Sequence, residues 1–400
     1  MRRFFVLAHR WVGLALAGFL CIAGITGSVL VWNDELDAAI NPDIFRAEPP
    51  ATNAEGVDPL DLRAKLAERY PHALVHYVPL HTEPGRTTRF LLQPRPSVKG
   101  DRPSLPNDQV MVNPYTGEVQ GERLWGDLAQ GRKNIMPFIY RLHQSLALGV
   151  VGTYTFGIVA LLWTLDCFVG AYLTLPARVR RLAEHRTGRQ WLARWRPAWN
   201  VRWRAGGFKR KFDLHRAGGL WMWAMLFVLA WSSVAFNLHE VYSPVMSALF
   251  PQQLDRVEEH FRRKPQADPG LSWIAARENG RRLMAEQAQI RDFTVFREHA
   301  LYYDARRGLF RYDVLSNLDV RAKSAKTSVW FDANSGALRL AWLPTGEASG
   351  DTIRMWLTSL HMAAVWGMPF KLFMTAMGLF VVLLSVTGVV IWARKRRARA

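Results

Sequence analysis

Apolar residues along this chain are gathered into four long runs, and long polar stretches follow the first and the third run. The runs cover roughly 10–32, 146–175, 216–237 and 370–392. About 20 consecutive apolar residues are enough for an α-helix to cross the hydrocarbon core of a bilayer. The pattern therefore predicts an α-helical integral membrane protein with four transmembrane helices. The first run has no clear small-x-small cleavage site, so we interpret it as an uncleaved span.

The two polar stretches have the shorter periodicities of mixed α and β structure. Helices are predicted over 58–70 and 272–289, and extended segments over 72–80, 88–93, 109–119, 293–296, 300–304 and 329–340. Each stretch also contains a turn that ends in glycine, at Gly117 and at Gly336. Glycine in such a turn is typical of a β-hairpin, because it adopts positive φ without strain. We therefore predict two small α+β domains.

The second half of the chain repeats the first half at nearly constant offsets. The offset is 206 residues from His9 to His215, 219 from Gly117 to Gly336, and 218 from His143 to His361, Gly149 to Gly367 and Gly170 to Gly388. We interpret the chain as two tandem copies of span, polar domain and span. Both copies have the same topology, so their pseudo-twofold axis runs along the membrane normal.

The formal net charge of +19 is unevenly distributed along the chain. Residues 33–137 contain 12 Lys and Arg against 15 Asp and Glu, and residues 239–355 contain 17 against 15. The positive excess lies in the two tails and in 176–211. Since cytoplasmic flanks are enriched in Lys and Arg, we predict that the tails and this loop are cytoplasmic. In a bacterium the chain would lie in the inner membrane with both polar domains in the periplasm.

These inferences give the predicted organisation of the chain. Its parts are transmembrane helix 1 (1–32), periplasmic domain 1 (33–137), transmembrane helix 2 with an outer histidine element (138–175), a cytoplasmic Arg/Trp-rich loop (176–213), transmembrane helix 3 (214–238), periplasmic domain 2 (239–355), transmembrane helix 4 with an outer histidine element (356–393) and a basic cytoplasmic tail (394–400).

The predicted cytoplasmic loop places a tryptophan at every fourth position among arginines, at Trp191, Trp195, Trp199 and Trp203. Pro197 interrupts any helix there. Basic residues interleaved with aromatic residues are found in proteins that bind single-stranded nucleic acid. The membrane spans on both sides favour a segment that lies on anionic lipid headgroups instead. We expect membrane lipid as a partner and no nucleic acid.

Four histidines occupy matched positions at the ends of the predicted spans. His9 and His215 begin spans one and three on the cytoplasmic side, and His143 and His361 precede spans two and four on the outer side. An isolated histidine at a membrane boundary is often only an interface residue, but two symmetric pairs at span level indicate a functional site. Imidazole is a common iron ligand, and two facing imidazoles across an apolar gap suit a haem better than a small naked ion. We therefore predict these four histidines as cofactor ligands, bound to haem iron, in two centres.

The cysteines restrict the type of haem. Cys21 and Cys167 both fall inside apolar runs, so the chain has no disulfide framework and no cysteine-based metal site. It also lacks a Cys-x-x-Cys-His sequence. The haem would therefore be non-covalent b-type, with two haems per chain.

The position of the outer pair leaves an alternative open. A continuous helix from His143 to Pro176 would be roughly 50 Å long, well beyond a hydrocarbon core of about 30 Å. Gly149 and Gly152 in one copy, and Gly367 and Pro369 in the other, are places where the helix can break. His239 also lies at the outer end of a span and is an alternative outer ligand, but its repeat position is Asn33.

These motifs resemble those of the PepSY-associated transmembrane family over essentially the whole chain. The similar elements are His-Arg-x-x-Gly-Leu at 9–14, Asp-Leu-His-Arg at 213–216, Leu-His at 142–143 and 360–361, and the hairpins at 112–119 and 331–338. The family includes inner-membrane reductases of iron-siderophore uptake that contain b-type haems and PepSY-like periplasmic domains. The resemblance implies His9, His143, His215 and His361 as haem ligands and a ferric siderophore as substrate.

Three functional hypotheses follow. The first is an oxidoreductase that carries electrons across the membrane to a ferric siderophore. The second is a siderophore transporter, against which stands the scarcity of charges other than Asp166 within the spans. The third is a membrane-anchored PepSY binding or regulatory module, which leaves the paired histidines unexplained. No Gly-x-Gly-x-x-Gly follows a predicted strand, so electrons would come from a quinol or a partner reductase.

Overall fold

The computed structural model describes residues 1–51, 54–95, 104–176, 188–253, 266–321 and 324–398. The chain divides into two compact units. The helical unit consists of Met1–Trp32, Ile139–Val245 and Leu360–Ala400, and the sheet unit consists of Asn33–Phe138 and Met246–Ser359. The predicted cytoplasmic loop (176–213) and basic tail (394–400) lie partly outside the described residues.

The described part of the chain contains thirteen α-helices and eight β-strands. The helices run over Arg2–Leu30 (α1), Asn33–Ile40 (α2), Pro42–Phe45 (α3), Pro59–Arg69 (α4), Ile135–Ser145 (α5), Gly149–Thr174 (α6), Gly188–Trp195 (α7), Gly207–Trp221 (α8), Trp223–Asn237 (α9), His239–Leu249 (α10), Trp273–Arg291 (α11), Ser349–His361 (α12) and Gly367–Arg397 (α13). The strands run over Ala73–Pro79 (β1), Thr88–Pro94 (β2), Gln109–Val112 (β3), Val119–Arg123 (β4), Val295–Asp304 (β5), Leu309–Ser316 (β6), Thr327–Asp332 (β7) and Leu338–Trp342 (β8).

The four apolar runs correspond to long helices of the helical unit. Among the described residues, α1, α6 and α13 are each long and apolar enough to cross a membrane. The remaining run is divided between α8 and α9, which meet at an angle of 70°, and this pair makes a fourth span if it is counted as one. The break lies at Met222, three residues after the adjacent glycines Gly218 and Gly219, and adjacent glycines are a common cause of helix kinks.

The helices pack so that each repeat contacts the other repeat. Helix α1 of the first repeat crosses α13 of the second where Gly24 meets Gly378, and a Cβ atom on Gly24 would lie 2.5 Å from the Gly378 carbonyl oxygen. In the other pair, α6 approaches α9 so closely that a Cβ atom on Gly157 would lie 2.9 Å from the Asn237 carbonyl oxygen. Small residues therefore permit both close helix contacts.

The predicted breaks before the second span of each repeat are confirmed. Helix α5 ends at Ser145 and α6 begins at Gly149, and α12 ends at His361 and α13 begins at Gly367. Gly149 and Gly367 occupy matched positions in the two repeats, and their φ angles are 59° and 60°. Such angles cost glycine little, whereas a residue with a Cβ atom pays roughly 1–2 kcal/mol.

The sheet unit contains one antiparallel sheet of eight strands, in the order β4-β3-β2-β1-β5-β6-β7-β8. The first four strands come from the first repeat and the last four from the second. They join where β1 pairs with β5, with Tyr77 opposite Tyr302 and Val78 opposite Leu301. The sequence predicts two separate α+β domains, whereas the structure unites both segments in one unit. Pairing β1 with β5 removes two exposed strand edges, which a separate four-stranded domain would have to protect.

Both predicted hairpins are present. The turn between β3 and β4 is closed by a hydrogen bond from the Gly117 amide to the Asn113 carbonyl oxygen (2.9 Å). The turn between β7 and β8 has the same bond from Gly336 to Asp332 (2.9 Å). Gly117 and Gly336 have φ values of 78° and 72°. The predicted helices also form, with Asp58 and Ser272 as side-chain caps of α4 and α11.

The predicted strands differ from the structure in the second repeat. The two extended segments predicted over 293–304 form one strand, β5, with register shifts along it. Strand β6 is absent from the sequence prediction. Its buried positions do not alternate, and a strand covered on both faces lacks the period of two that identifies a half-exposed strand.

The segment after α7 confirms that Pro197 ends the helix, because Arg196–Trp199 forms a 3₁₀ turn. The rings of Trp191, Trp195 and Trp199 form successive contacts, with centroids 5.4 and 5.2 Å apart. The Trp195 indole N–H donates to the Thr174 hydroxyl at 3.2 Å. The segment is therefore packed against the end of α6.

A charged network fastens α11 to the sheet. The Glu298 carboxylate on β5 accepts hydrogen bonds from Arg277 (2.6 Å), Arg281 (2.7 Å) and the Tyr312 hydroxyl (2.8 Å). Burial by itself would raise the pKa of Glu298, but the hydrogen bonds from Arg281, Arg277 and Tyr312 outweigh it and lower the pKa from 4.5 to about 2. The ionised carboxylate thus stabilises the folded sheet unit.

We expect Glu298→Gln to destabilise the sheet unit by about 1–3 kcal/mol at neutral pH, because Arg277 and Arg281 each lose one of their two carboxylate partners. The folded-state pKa is lowered, so the contribution is fully present above about pH 4.5 and is lost as the pH falls toward about 2. Thermal unfolding of the full chain in detergent, followed by circular dichroism, measures both effects. Equal thermal unfolding midpoints for the wild type and the variant at pH 7 would contradict the stabilising role of Glu298.

Candidate functional site

The structure brings the imidazole rings of His9 and His215 close together. His9 lies in α1 and His215 lies in α8. Their ring centroids are 6.1 Å apart, with an angle of 57° between the ring planes. We refer to these residues as the first histidine pair.

His143 and His361 form a second histidine pair. His143 lies near the end of α5 and His361 is the last residue of α12. Their ring centroids are 6.2 Å apart, with an angle of 70° between the ring planes. His239, the alternative partner, is exposed at the start of α10. The pairing follows the repeat symmetry.

The Nδ1 atoms of the second pair contact repeat-related hydroxyl groups. His143 Nδ1 lies 3.0 Å from Thr26 Oγ1, and His361 Nδ1 lies 2.7 Å from Ser232 Oγ. Ser232 follows Thr26 by the same 206 residues that separate His215 from His9. The hydroxyl of Thr26 donates to the Ile22 carbonyl oxygen, and that of Ser232 donates to the Val228 carbonyl oxygen, both at 2.6 Å.

These hydrogen bonds favour one tautomer for both rings. Because each hydroxyl lies 2.6 Å from a carbonyl oxygen to which it can donate, we assign the imidazole Nδ1–H as the donor to the hydroxyl oxygen. The Nε2 atom of each ring is then the unprotonated nitrogen, which is the form that binds a metal. Metal-bound histidines are usually oriented in this way by a partner on the other ring nitrogen.

The first pair is oriented by different groups. His215 Nδ1 lies 3.0 Å from the Leu384 carbonyl oxygen and 3.1 Å from Thr387 Oγ1. His9 Nδ1 lies 2.8 and 3.0 Å from the two carboxylate oxygens of Asp166. A carbonyl oxygen and a carboxylate both accept, so Nδ1 again carries the proton. Asp166 and Leu384 occupy equivalent positions, 218 residues apart.

Glycines provide room for three of the four rings. A Cβ atom built on Gly170 would lie 3.6 Å from His9 Cε1. A Cβ atom on Gly388 would lie 3.3 Å from His215 Cε1, and one on Gly27 would lie 3.0 Å from His143 Cε1. Gly170 and Gly388 are the repeat-related glycines of the sequence. A larger side chain at these positions would therefore crowd the imidazoles.

Two further glycines lie beside open space. Gly13 and Gly219 are each four residues after a histidine of the first pair, and no heavy atom lies within 4 Å of a Cβ atom built on either. Residues four apart lie on the same face of a helix. Each histidine of the first pair is therefore followed, on the same helix face, by a glycine that borders open space.

The spacing within both pairs fits one metal ion between two imidazoles. Metal–imidazole bonds are about 2.0 Å long, and a ring nitrogen lies about 1.1 Å from its ring centroid, so two imidazoles that share one metal ion would have centroids up to about 6 Å apart. The observed 6.1 and 6.2 Å match this value. No group of three or more His, Cys, Asp or Glu suited to a metal ion occurs among the described residues. Each histidine pair thus offers two imidazole donors, and such a set would suit a group like haem that brings further donors of its own.

A buried carboxylate holds the segment that precedes His215. Asp213 is 0% exposed and accepts hydrogen bonds from Arg202 (2.6 and 2.9 Å) and Arg216 (3.1 Å). Arg202 lies in the loop before α8. Asp213 therefore ties this loop to the first turns of the helix that carries His215.

Sequence reasoning identified the four histidines but not the residues that orient them. Thr26 and Ser232 share the histidines' repeat offset, which was a usable signal. Leu384 acts through its backbone, so its side chain gave no signal. Asp166 was noted only as a charge within a span.

The fold and these contacts define a multi-pass helical membrane protein with a separate antiparallel sheet unit and two histidine pairs. A family model for the PepSY-associated TM region matches residues 6–395, nearly the whole chain, so the protein belongs to this family. No curated protein gives a significant match.

Proposed function

We propose that the protein is a transmembrane electron-transfer protein that binds two b-type haems and reduces ferric siderophore iron at the periplasmic face of the bacterial inner membrane. The observation that carries this proposal is the presence of two repeat-related histidine pairs, each spaced for one iron. The family assignment adds support, since the resemblance described above implies the same activity.

The two pairs lie in different layers of the membrane on this proposal. Helix α1 contains both His9 and Thr26, the partner of His143. These residues are 17 positions apart, which corresponds to roughly 26 Å along a helix. The hydrocarbon core is about 30 Å thick. The first pair would therefore lie near one membrane face and the second pair near the other face.

The orientation follows from the charge distribution, with α8 and α9 together as the third of four spans. The chain termini and the loop before α8 would be cytoplasmic, and the sheet unit would be periplasmic. The first pair then marks the electron entry side. A quinol or a partner reductase would supply the electrons there.

We expect alkaline phosphatase fused after Asn107 or after Ser324 to be active in cells, because both sites belong to the sheet unit. Fusions of green fluorescent protein at the C-terminus should fluoresce, because the basic tail would be cytoplasmic. A phosphatase fusion that is inactive at either site, with the protein inserted in the membrane, would contradict the orientation.

The chain's own residues would hold and orient the redox centres. When bound, each haem supplies a one-electron Fe(III)/Fe(II) couple. His9 and His215 would ligate one iron through Nε2, and His143 and His361 would ligate the other. The partners on Nδ1 would hold the rings in a fixed orientation.

Reduction at the periplasmic face would release the metal from its carrier. Hard oxygen ligands hold Fe(III) more tightly than Fe(II). One electron delivered to the ferric chelate therefore weakens its hold on iron, and the siderophore is left intact. The siderophore is the substrate, and iron is the cargo.

The test is a single-turnover reaction without oxygen. Protein reduced beforehand with dithionite, and freed of excess reductant, is mixed with a ferric siderophore and a ferrous-specific chelator. We expect the haem spectrum to return to the oxidised form while the ferrous chelate accumulates, with one Fe(II) formed per haem oxidised. Haem that stays reduced with several classes of ferric siderophore would contradict the proposed substrate.

A further inference from the structure

The group that contacts Nδ1 is charged in one of the four histidines and neutral in the other three. Nδ1 faces neutral oxygen atoms in His143, His361 and His215. In His9 it faces the carboxylate of Asp166. One histidine of the first pair is therefore set apart from the other three.

The carboxylate occupies an unfavourable location. Asp166 lies within α6, one of the helices long and apolar enough to cross a membrane, and its side chain is 13% exposed. A carboxylate at this depth is costly unless it is paired. Among the described residues, His9 is its hydrogen-bonding partner. The energetic cost implies a role in the site.

The other repeat shows that the fold does not require an acid here. Leu384 stands at the position of Asp166, and His215 is oriented there by a backbone carbonyl oxygen instead. Helix α13 therefore performs the same positioning task without a charge. What Asp166 adds beyond orientation is a negative charge on the Nδ1 side of one ligand.

A carboxylate on Nδ1–H makes the imidazole a stronger electron donor at Nε2. A stronger donor stabilises the ferric form of the bound iron relative to the ferrous form, because the ferric form carries one more positive charge. The midpoint potential of that iron is lowered as a result. Among the residues that the structure describes, neither histidine of the second pair has a carboxylate on Nδ1.

We propose that Asp166 is a positioning residue that lowers the midpoint potential of the first-pair haem below that of the second-pair haem. This inference rests on the function proposed above. The difference would make electron transfer favourable from the cytoplasmic side toward the periplasmic side. The difference between Asp166 and Leu384 would thereby set the direction of electron transfer between the two haems of a nearly symmetric, duplicated protein.

The test is an optical redox titration of the purified full chain, with haem content measured first. His143→Ala protein, which would retain only the first-pair haem, identifies that component of the titration. Asp166→Asn removes the charge but keeps an oxygen that accepts from Nδ1–H. We expect the reduced-to-oxidised ratio of the first-pair haem, at a fixed potential, to rise about tenfold, or about 59 mV for one electron.

Asp166→Leu copies the second repeat and provides an independent variant if Asp166→Asn binds haem poorly. Thr26→Ala is the matched control, because it removes a neutral partner of the second pair and should leave the first-pair potential unchanged. A first-pair potential that is unaltered in both Asp166 variants, with two haems bound, would overturn this inference alone. Wild-type protein without haem would overturn the proposed function and the inference together.

Discussion

His215→Ala is expected to leave one haem per chain in place of two. Removing this imidazole takes away one of the two proposed ligands of the first-pair haem. The ring centroids of His143 and His361 remain 6.2 Å apart, and their hydrogen-bond partners are unchanged. Because the two pairs use different residues, loss of one haem should not disturb the other. Pyridine haemochrome quantification of the purified variant measures the change.

The matched control for this variant is His239→Ala. His239 is exposed and stands outside both pairs in the structure, so this variant should retain both haems with the wild-type spectrum. If His215→Ala lost both haems while remaining folded, the two centres would not be independent. If His239→Ala lost the second haem, the outer ligand set would be wrong.

Delivery of electrons to a ferric siderophore should fall to background in His143→Ala and in His361→Ala. On the proposed route the second pair holds the last redox centre before the substrate. The first-pair haem of these variants should still be reduced from the cytoplasmic side, since His9, His215 and their partners are unchanged. Trapping of Fe(II) in the single-turnover reaction, together with the spectrum of the remaining haem, measures both expectations.

The control for route and folding is again His239→Ala, which should reduce the ferric siderophore at the wild-type rate. Both second-pair variants must first be shown to lack the second haem. If such protein still delivered electrons to the siderophore at the wild-type rate, electrons would leave by another path, and the proposed order of the centres would be wrong.

Much of the fold could be predicted because its signals are local. Apolar runs marked the long helices, glycine at 117 and 336 marked the hairpins, and Gly149 and Gly367 marked the helix breaks. The pairing of β1 with β5 could not be predicted, because it joins residues more than 200 positions apart in the sequence. The bend between α8 and α9 was missed for another reason: adjacent glycines permit a kink without fixing its angle.

The candidate site was predictable at its ligands and less so at their surroundings. Repeat symmetry paired His9 with His215 and His143 with His361, and the structure brings each pair together. Thr26 and Ser232 share the repeat offset of 206 residues but otherwise resemble ordinary helix residues in sequence, and Leu384 contributes only a carbonyl oxygen. The distinction between Asp166 and Leu384 became meaningful only when both were placed against a histidine Nδ1 atom.

Haem content and the visible spectrum of the purified wild-type protein are the decisive measurements for the two proposed haem sites. We expect two non-covalent b-type haems per chain, both low-spin and ligated by two histidines, with sharp α bands after reduction. Protein that is folded and correctly inserted in the membrane but binds no haem, even when haem is supplied during expression, would contradict this expectation.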